Sequence, residues 1–353
     1  CTSNLPAVAV IPSEHFNTIL YTGDGTAEPT GQPQTGVGFQ PDFVWTKTRN
    51  TGADHFLHDS VRGVNQRIKS NATDAEYDDN NALLAFGSDG FTVADDAATG
   101  ASGITYAAWN WKAETSVSGD TTGSGTAKTY TGKVNTDNKF SIIKYTGNGT
   151  NNHTIPHNLG VVPEFFMIKS LEDGENWAVY HKDTHASPET MMLKINANSA
   201  PADVDSFLND VAPTSSVINL GVYSRVNESD ETFIVYSWAS VDGYSKVGTY
   251  TGNGSTTGTF TYTGFRPAYI MIKRVDTTGN WHIQDTKRAT YNEAYVGLQA
   301  NSTGADSVAS TYGLDITSNG FKQTYTHADQ NADGGTYVYI AFAETPFKYS
   351  NAR

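Results

Sequence analysis

The sequence predicts an all-β protein of three tandem β-sandwich modules, jelly-roll or Greek-key-like, each of about 100 residues. Three observations predict it. A Gly-rich turn motif occurs three times. Each copy is followed by a Pro-led, aromatic-rich apolar run. Each copy then closes on a hexamer with an aromatic residue at both ends.

The turn reads Tyr21-Thr-Gly-Asp-Gly25-Thr26, then Tyr145-Thr-Gly-Asn-Gly149-Thr150, then Tyr250-Thr-Gly-Asn-Gly254-Ser255. Gly and Asn/Asp tolerate positive φ, so the motif predicts a tight hairpin turn after a strand. The second landmark runs Pro41 to Lys47, Pro163 to Lys169 and Pro267 to Lys273, at identical spacing. Pro suits the start of a strand because it donates no ladder bond. The short, nearly continuous apolar run behind it fits a strand covered on both faces. The third landmark is Tyr106-Ala-Ala-Trp-Asn-Trp111, Phe233-Ile-Val-Tyr-Ser-Trp238 and Tyr337-Val-Tyr-Ile-Ala-Phe342.

These landmarks divide the chain into module one (16–114), module two (139–243) and module three (244–353). An N-terminal segment, 1–15, is expected to continue from an upstream domain. Cys1 alternatively allows a lipidated N-terminus. Residues 115–138 are rich in Ser, Thr and Gly and read as a flexible linker or extended arm. Modules two and three abut at Asp242-Gly243-Tyr244 and should pack rigidly. Helical signals are sparse, and Pro201 to Val211 is the one segment with a helical apolar face.

Composition narrows the function. The chain has 353 residues, 17% of them charged, and a formal net charge of −14. That balance disfavours broad contact with nucleic-acid phosphates. The single cysteine excludes an intrachain disulfide and any cysteine-based metal site. No apolar run has the length of a membrane helix, so membrane insertion is not expected. Gly-x-Ser-x-Gly, Walker and HExxH motifs are absent, so no catalytic residue is assigned and an enzyme is not expected.

Candidate sites remain. Asp59-Ser-Val-Arg62 matches Asp285-Thr-Lys-Arg288, and Ala75-Glu76 matches Ala305-Asp306. Asp and Arg three apart suit a charge-assisted bidentate pair, so these four residues read as structural loop pins. Module two lacks the pair and carries Trp177-Ala-Val-Tyr180-His181 there. Trp177 and Trp281 follow turns, where indole rings stack on sugar faces or plug a sandwich core. His153, His157, His181 and His185 form two close pairs, read as surface loops because no third ligand has metal-site spacing. Asp74 to Asp79 and Asp329 to Asp333 offer oxygen ligands to calcium but match no EF-hand loop, so no cofactor or metal is assigned.

The Tyr-Thr-Gly-Asn-Gly turn, the Gly-Phe-x-Pro strand, Asp59-Ser-Val-Arg-Gly63 and the tail Ala341-Phe-Ala-Glu-Thr-Pro-Phe-Lys-Tyr-Ser-Asn-Ala-Arg353 resemble a repeat family of tailed bacteriophages, including marine phages and those of cyanobacteria. The resemblance spans residues 1 to 353. It implies a virion structural, tail-fibre-like protein, in which the Cys1-to-Pro6 segment follows a SPRY- or lectin-like β domain. The expected function is therefore a tail fibre or host-facing appendage on the outside of the virion, attaching to a surface glycan. Capsid decoration without a receptor role and a polysaccharide-degrading tailspike are the alternatives. Expected partners are other virion proteins and further copies of the chain, in a trimer.

Overall fold

The computed structural model describes residues 10–308 and 312–344. The N-terminal residues 1–9 and the tail 345–353, to which the upstream-domain and tail-motif expectations belong, lie outside the described residues.

The described chain is all-β, and its strands pair antiparallel throughout. Three six-stranded sheets dominate. In module one the order is Phe16–Thr22, Thr105–Trp111, Phe43–Thr48, Phe56–Asp59, Gln66–Lys69, Tyr77–Asp78. Module three repeats it as Ser245–Thr251, Thr336–Ala343, Pro267–Arg274, Trp281–Asp285, Val296–Gln299, Ser307–Val308. The Pro-led run and the aromatic hexamer are thus neighbouring central strands. A three-stranded sheet covers one face of each large sheet, for example Gln32–Thr35, Gly90–Val93 and Leu83–Gly87 in module one.

The turn motif is not a hairpin. Its last glycine does take positive φ, at +76°, +65° and +61° for Gly25, Gly149 and Gly254. The chain beyond it, however, leaves the large sheet and enters the three-stranded one, at Gln32, His153 and Phe260.

Residues 115–138 form an ordered arm. Strands Thr115–Asp120 and Thr129–Asn135 add to the outer edge of module two's large sheet. The order there is Thr115–Asp120, Thr129–Asn135, Phe140–Thr146, Thr232–Trp238, Phe165–Ser170, Ala178–His181. Of the two expectations for this segment the extended arm holds and the flexible linker fails, because Tyr130 and Val134 alternate with small and polar residues and supply enough apolar surface to pair. Gly132 permits the approach, since a Cβ there would lie 2.3 Å from the carbonyl oxygen of Ile142.

The expected 201–211 helix shrinks to one turn, Asp205–Leu208, with Phe207 and Leu208 buried. Asn209 at its C-cap is left-handed, with φ of 52°, and stops it.

Strand periodicity explains the packing. In Phe165–Ser170, Phe166 and Ile168 face the core beneath the small sheet, while Phe165 and Met167 face the other way. Ile270 and Ile272 part from Tyr269 and Met271 in the same manner in module three. Those second faces meet in one shared core. It takes Phe43, Trp45 and Trp111 from module one, Phe165, Met167 and Trp238 from module two, and Tyr269, Met271 and Phe342 from module three. Stacked rings cross two of the boundaries, Phe43 on Tyr236 at 4.5 Å and Phe16 on Phe342 at 5.0 Å between centroids. A cavity lined by Phe43, Trp45, Phe165, Met167 and Phe342, where the three sheets meet, measures about 10 Å³.

Candidate functional site

The polar side chains of the repeated motifs converge on the module boundaries. Pairing registers make His55, Trp177 and Trp281 counterparts: Trp281 lies opposite Lys273, and His55 and Trp177 stand at the matching place, one residue before Phe56 and Ala178, which pair with Thr46 and Ile168. Trp177 donates its indole N–H to the Lys69 carbonyl of module one at 2.8 Å, and Trp281 donates to the Lys194 carbonyl of module two at 2.9 Å. His55 Nδ1 accepts from the Trp45 indole at 2.8 Å, which leaves Nε2 to donate to the Gln299 carbonyl of module three at 3.0 Å. One reaches to three, three to two, and two to one. The contacts close a ring.

This geometry corrects the reading of Trp177 and Trp281 as glycan platforms. Both are buried, at 0% and 2% exposure, so neither ring offers a face to a sugar on the surface. They act as core plugs between modules. Within one module nothing in the sequence distinguishes an indole facing solvent from one facing the next module.

The Asp and Arg pairs sit in the same boundaries. Arg62 Nε donates to Asp59, its Nη1 meets Glu76 at 3.1 Å and its Nη2 donates to the Leu57 carbonyl at 2.8 Å. Arg288 repeats this with Asp285 at 2.6 Å, Asp306 at 3.0 Å and the Ile283 carbonyl at 2.9 Å. All four pin side chains are fully buried. Each carboxylate also takes one donor from the next module. Tyr236 Oη donates to Asp59 at 2.6 Å, and the Trp109 indole donates to Asp285 at 3.1 Å.

Tyr236, Trp109 and Ile340 occupy one hexamer position. Ile340 has no donor, and the residue it would have met in module two is His181 rather than Asp. His181 instead donates Nε2 to the Tyr339 carbonyl at 3.1 Å while Nδ1 accepts from the Asp183 N–H. Burial holds this imidazole neutral and pushes its pKa down to about 4. Module two's departure from the Asp-x-x-Arg pattern thus matches a departure in the strand facing it.

The motif lysines complete the set. Lys47, Lys169 and Lys273 are fully buried. Each donates to backbone carbonyls, as Lys273 does to Gly279 at 2.7 Å and Arg274 at 2.9 Å. Desolvation lowers all three pKa values to about 8. No sequence signal other than their fixed spacing from proline marked them.

The histidine pairs do not assemble. His153 and His157 are buried, His181 lies at the boundary between modules two and three, and no group of three His, Cys, Asp or Glu among the described residues has the arrangement of a metal site. The acidic run at 74–79 is committed to protein cations, Asp74 to Lys69 at 2.6 Å and Asp79 to Arg67 at 2.6 Å. In the second acidic segment Asp329 meets His282 at 3.0 Å and Asn280, contacts that hold its carboxyl well below the usual carboxylate range although burial pushes it the other way.

Two open grooves flank the first strands of modules one and three. A groove of about 360 Å³ lies between Ser245–Thr251 and Phe260–Tyr262, bounded by Lys182 and Asp183 of module two. A second, of about 240 Å³, lies beside Phe16 to Thr18 and is bounded by Thr286 and Lys287 of module three. Phe260 and Tyr262 stand 47% and 64% exposed along the first groove.

No curated protein matches the chain. A family profile does, over residues 11–346, and that span takes in all three modules and the arm. By that match the chain belongs to DUF7483, a domain family of unknown function.

Proposed function

We propose that the chain is a structural component of a tailed-phage virion, a rigid block in a tail fibre or other host-facing appendage. The observation that carries this reading is the shared core. Three sheets turn their inner faces on one another, and their motif residues are spent on bonds between modules. Such a block transmits force without internal hinges, as an appendage under load requires. The threefold arrangement expected from a homotrimer is supplied by one chain, so the native particle component is expected to carry single-chain units. The resemblance of the Tyr-Thr-Gly-Asn-Gly and Gly-Phe-x-Pro motifs to phage repeats agrees with this role.

Two measurements test it. Gold-labelled antibody against the chain should decorate tail appendages of intact virions, and labelling of heads, or of no particle, would sink the proposal. Native mass spectrometry of the purified chain should give one-chain mass, whereas a stable trimer would remove the argument from internal threefold packing.

A further inference from the structure

Module three departs from its neighbours at one pair of facing residues. Where the first strand of each module meets the hexamer strand, Ile19 lies opposite Ala108 in module one and Ile143 opposite Val235 in module two. In module three the same pair is Gly248 and Tyr339. The bulk has moved to the other strand, and the phenol takes the space, since a Cβ on residue 248 would stand 2.8 Å from Tyr339 Oη. Aliphatic pairs fill this place in two modules, so packing alone does not call for a hydroxyl. Tyr339 is 3% exposed, and its hydroxyl has no hydrogen-bond partner among the described residues. A buried hydroxyl left unpaired is costly. This residue lines the groove of about 360 Å³ beside Ser245–Thr251.

The other walls of the groove carry rings and one balanced pair of charges. Phe260 and Tyr262 stand exposed on the small sheet, where module one has Pro33 and Thr35 and module two has Thr154 and Pro156. Asp183 and Lys246 face each other, and neither side chain is hydrogen-bonded among the described residues. The backbone at the start of this edge is already spent. Ser245 bonds to Val241 through both its N–H and its C=O, and the Val247 N–H donates to Ser240 Oγ. The groove is therefore built for a ligand that meets side chains.

We propose that it binds a neutral saccharide. A pyranose lays its C–H face on the electron-rich faces of Phe260 and Tyr262. Its hydroxyls, which both donate and accept, serve the Tyr339 phenol, the Asp183 carboxylate and the Lys246 ammonium. A charged ligand would leave one member of that pair unbalanced. The volume falls within the range of ligand clefts, about 300–1,000 Å³. This gives the appendage reading a ligand, but it is tested on the isolated chain, so binding can fail while the virion reading stands, and the reverse.

The probe is a panel of methyl pyranosides, in the gluco, galacto, manno, rhamno and N-acetylglucosamine forms, titrated onto the full chain and followed by saturation-transfer difference NMR. At least one should bind, with the strongest transfer to the protons of one ring face. Tyr339→Phe should weaken that sugar about 10-fold, the worth of one hydrogen bond. Tyr262→Ala should weaken it at least as much, by removing a stacking face. Gly248→Ile combined with Tyr339→Val places an aliphatic pair there as in module two, and should abolish binding while circular dichroism stays native. Should that double variant fail to fold, Tyr339→Phe, which removes one unpaired atom, still decides. No transfer to any sugar of the panel, unchanged affinity in Tyr339→Phe, or equal transfer to cyclohexanol overturns the proposal.

Discussion

Asp59 and Asp285 each hold a negative charge with no access to water, and three kinds of donor make that tolerable. The Arg guanidinium supplies the opposite charge, two backbone N–H groups cap one oxygen, and a phenol or indole from the next module reaches the other. Removing one member leaves a buried charge exposed to a low dielectric rather than merely subtracting a contact. Arg62→Met should therefore destabilise the protein by about 3–5 kcal/mol, the cost of an uncompensated buried partner. Tyr236→Phe should cost less, about 1–3 kcal/mol, because the arginine still balances the charge. Urea unfolding of the two variants checks the order. Equal small losses would mean the pair is solvated and does not tie the modules together.

The three Pro-led strands each carry a buried lysine one residue before their end, and this sets how stability follows pH. Folding lowers the pKa of Lys47, Lys169 and Lys273 to about 8 from an ordinary 10.5, chiefly by desolvation. Between those values the unfolded chain binds more protons, so stability rises with pH. The contribution is complete above the unfolded pKa and is lost as pH falls through about 8. Buried tyrosines act oppositely, since burial raises Tyr106 to about 12 and Tyr145 and Tyr250 well above 10. Their contribution is present below pH 10 and declines as pH climbs past it. Stability measured by chemical denaturation should thus climb by roughly 1–3 kcal/mol from pH 8 to pH 10 and then fall. Lys47→Met should flatten part of the climb. A profile that already declines from pH 8 would show that the lysines keep their charge cheaply through their carbonyl partners.

These strands also explain what could be read from residues alone. A run such as Phe165-Phe-Met-Ile-Lys169 announces burial on both faces, and the structure gives it both. The small sheet of its own module covers one face, and that layer follows from the local turn and strand pattern. The other face is covered by modules far along the chain, and no local pattern names them. For the same reason the residues alone leave Trp177 and Trp281 open between surface rings and core plugs. The residues of the arm leave it open between a flexible linker and an extended segment, because Thr, Ser and Gly dominate it and only the alternation of Tyr130, Gly132 and Val134 marks a strand.

At the scale of the whole molecule, the outcome is a sequence of three similar parts that does not behave as three domains. A two-layer sandwich of about 100 residues normally closes its core within itself and folds alone. Here the face bearing Phe43, Trp45, Phe165, Tyr269 and Phe342 is closed only by the other two modules. The buried Asp–Arg pairs, the indole donors and two of the motif lysines, Lys47 and Lys273, find part of their bonding across boundaries. A module excised as residues 139–243 would expose an aromatic face and strip donors of their acceptors. The chain should therefore unfold in a single calorimetric transition, with calorimetric and van't Hoff enthalpies close to equal. Two or three resolved transitions, or an excised middle module with native-like near-ultraviolet circular dichroism, would mean that the modules hold themselves up and that the central core is only where they touch.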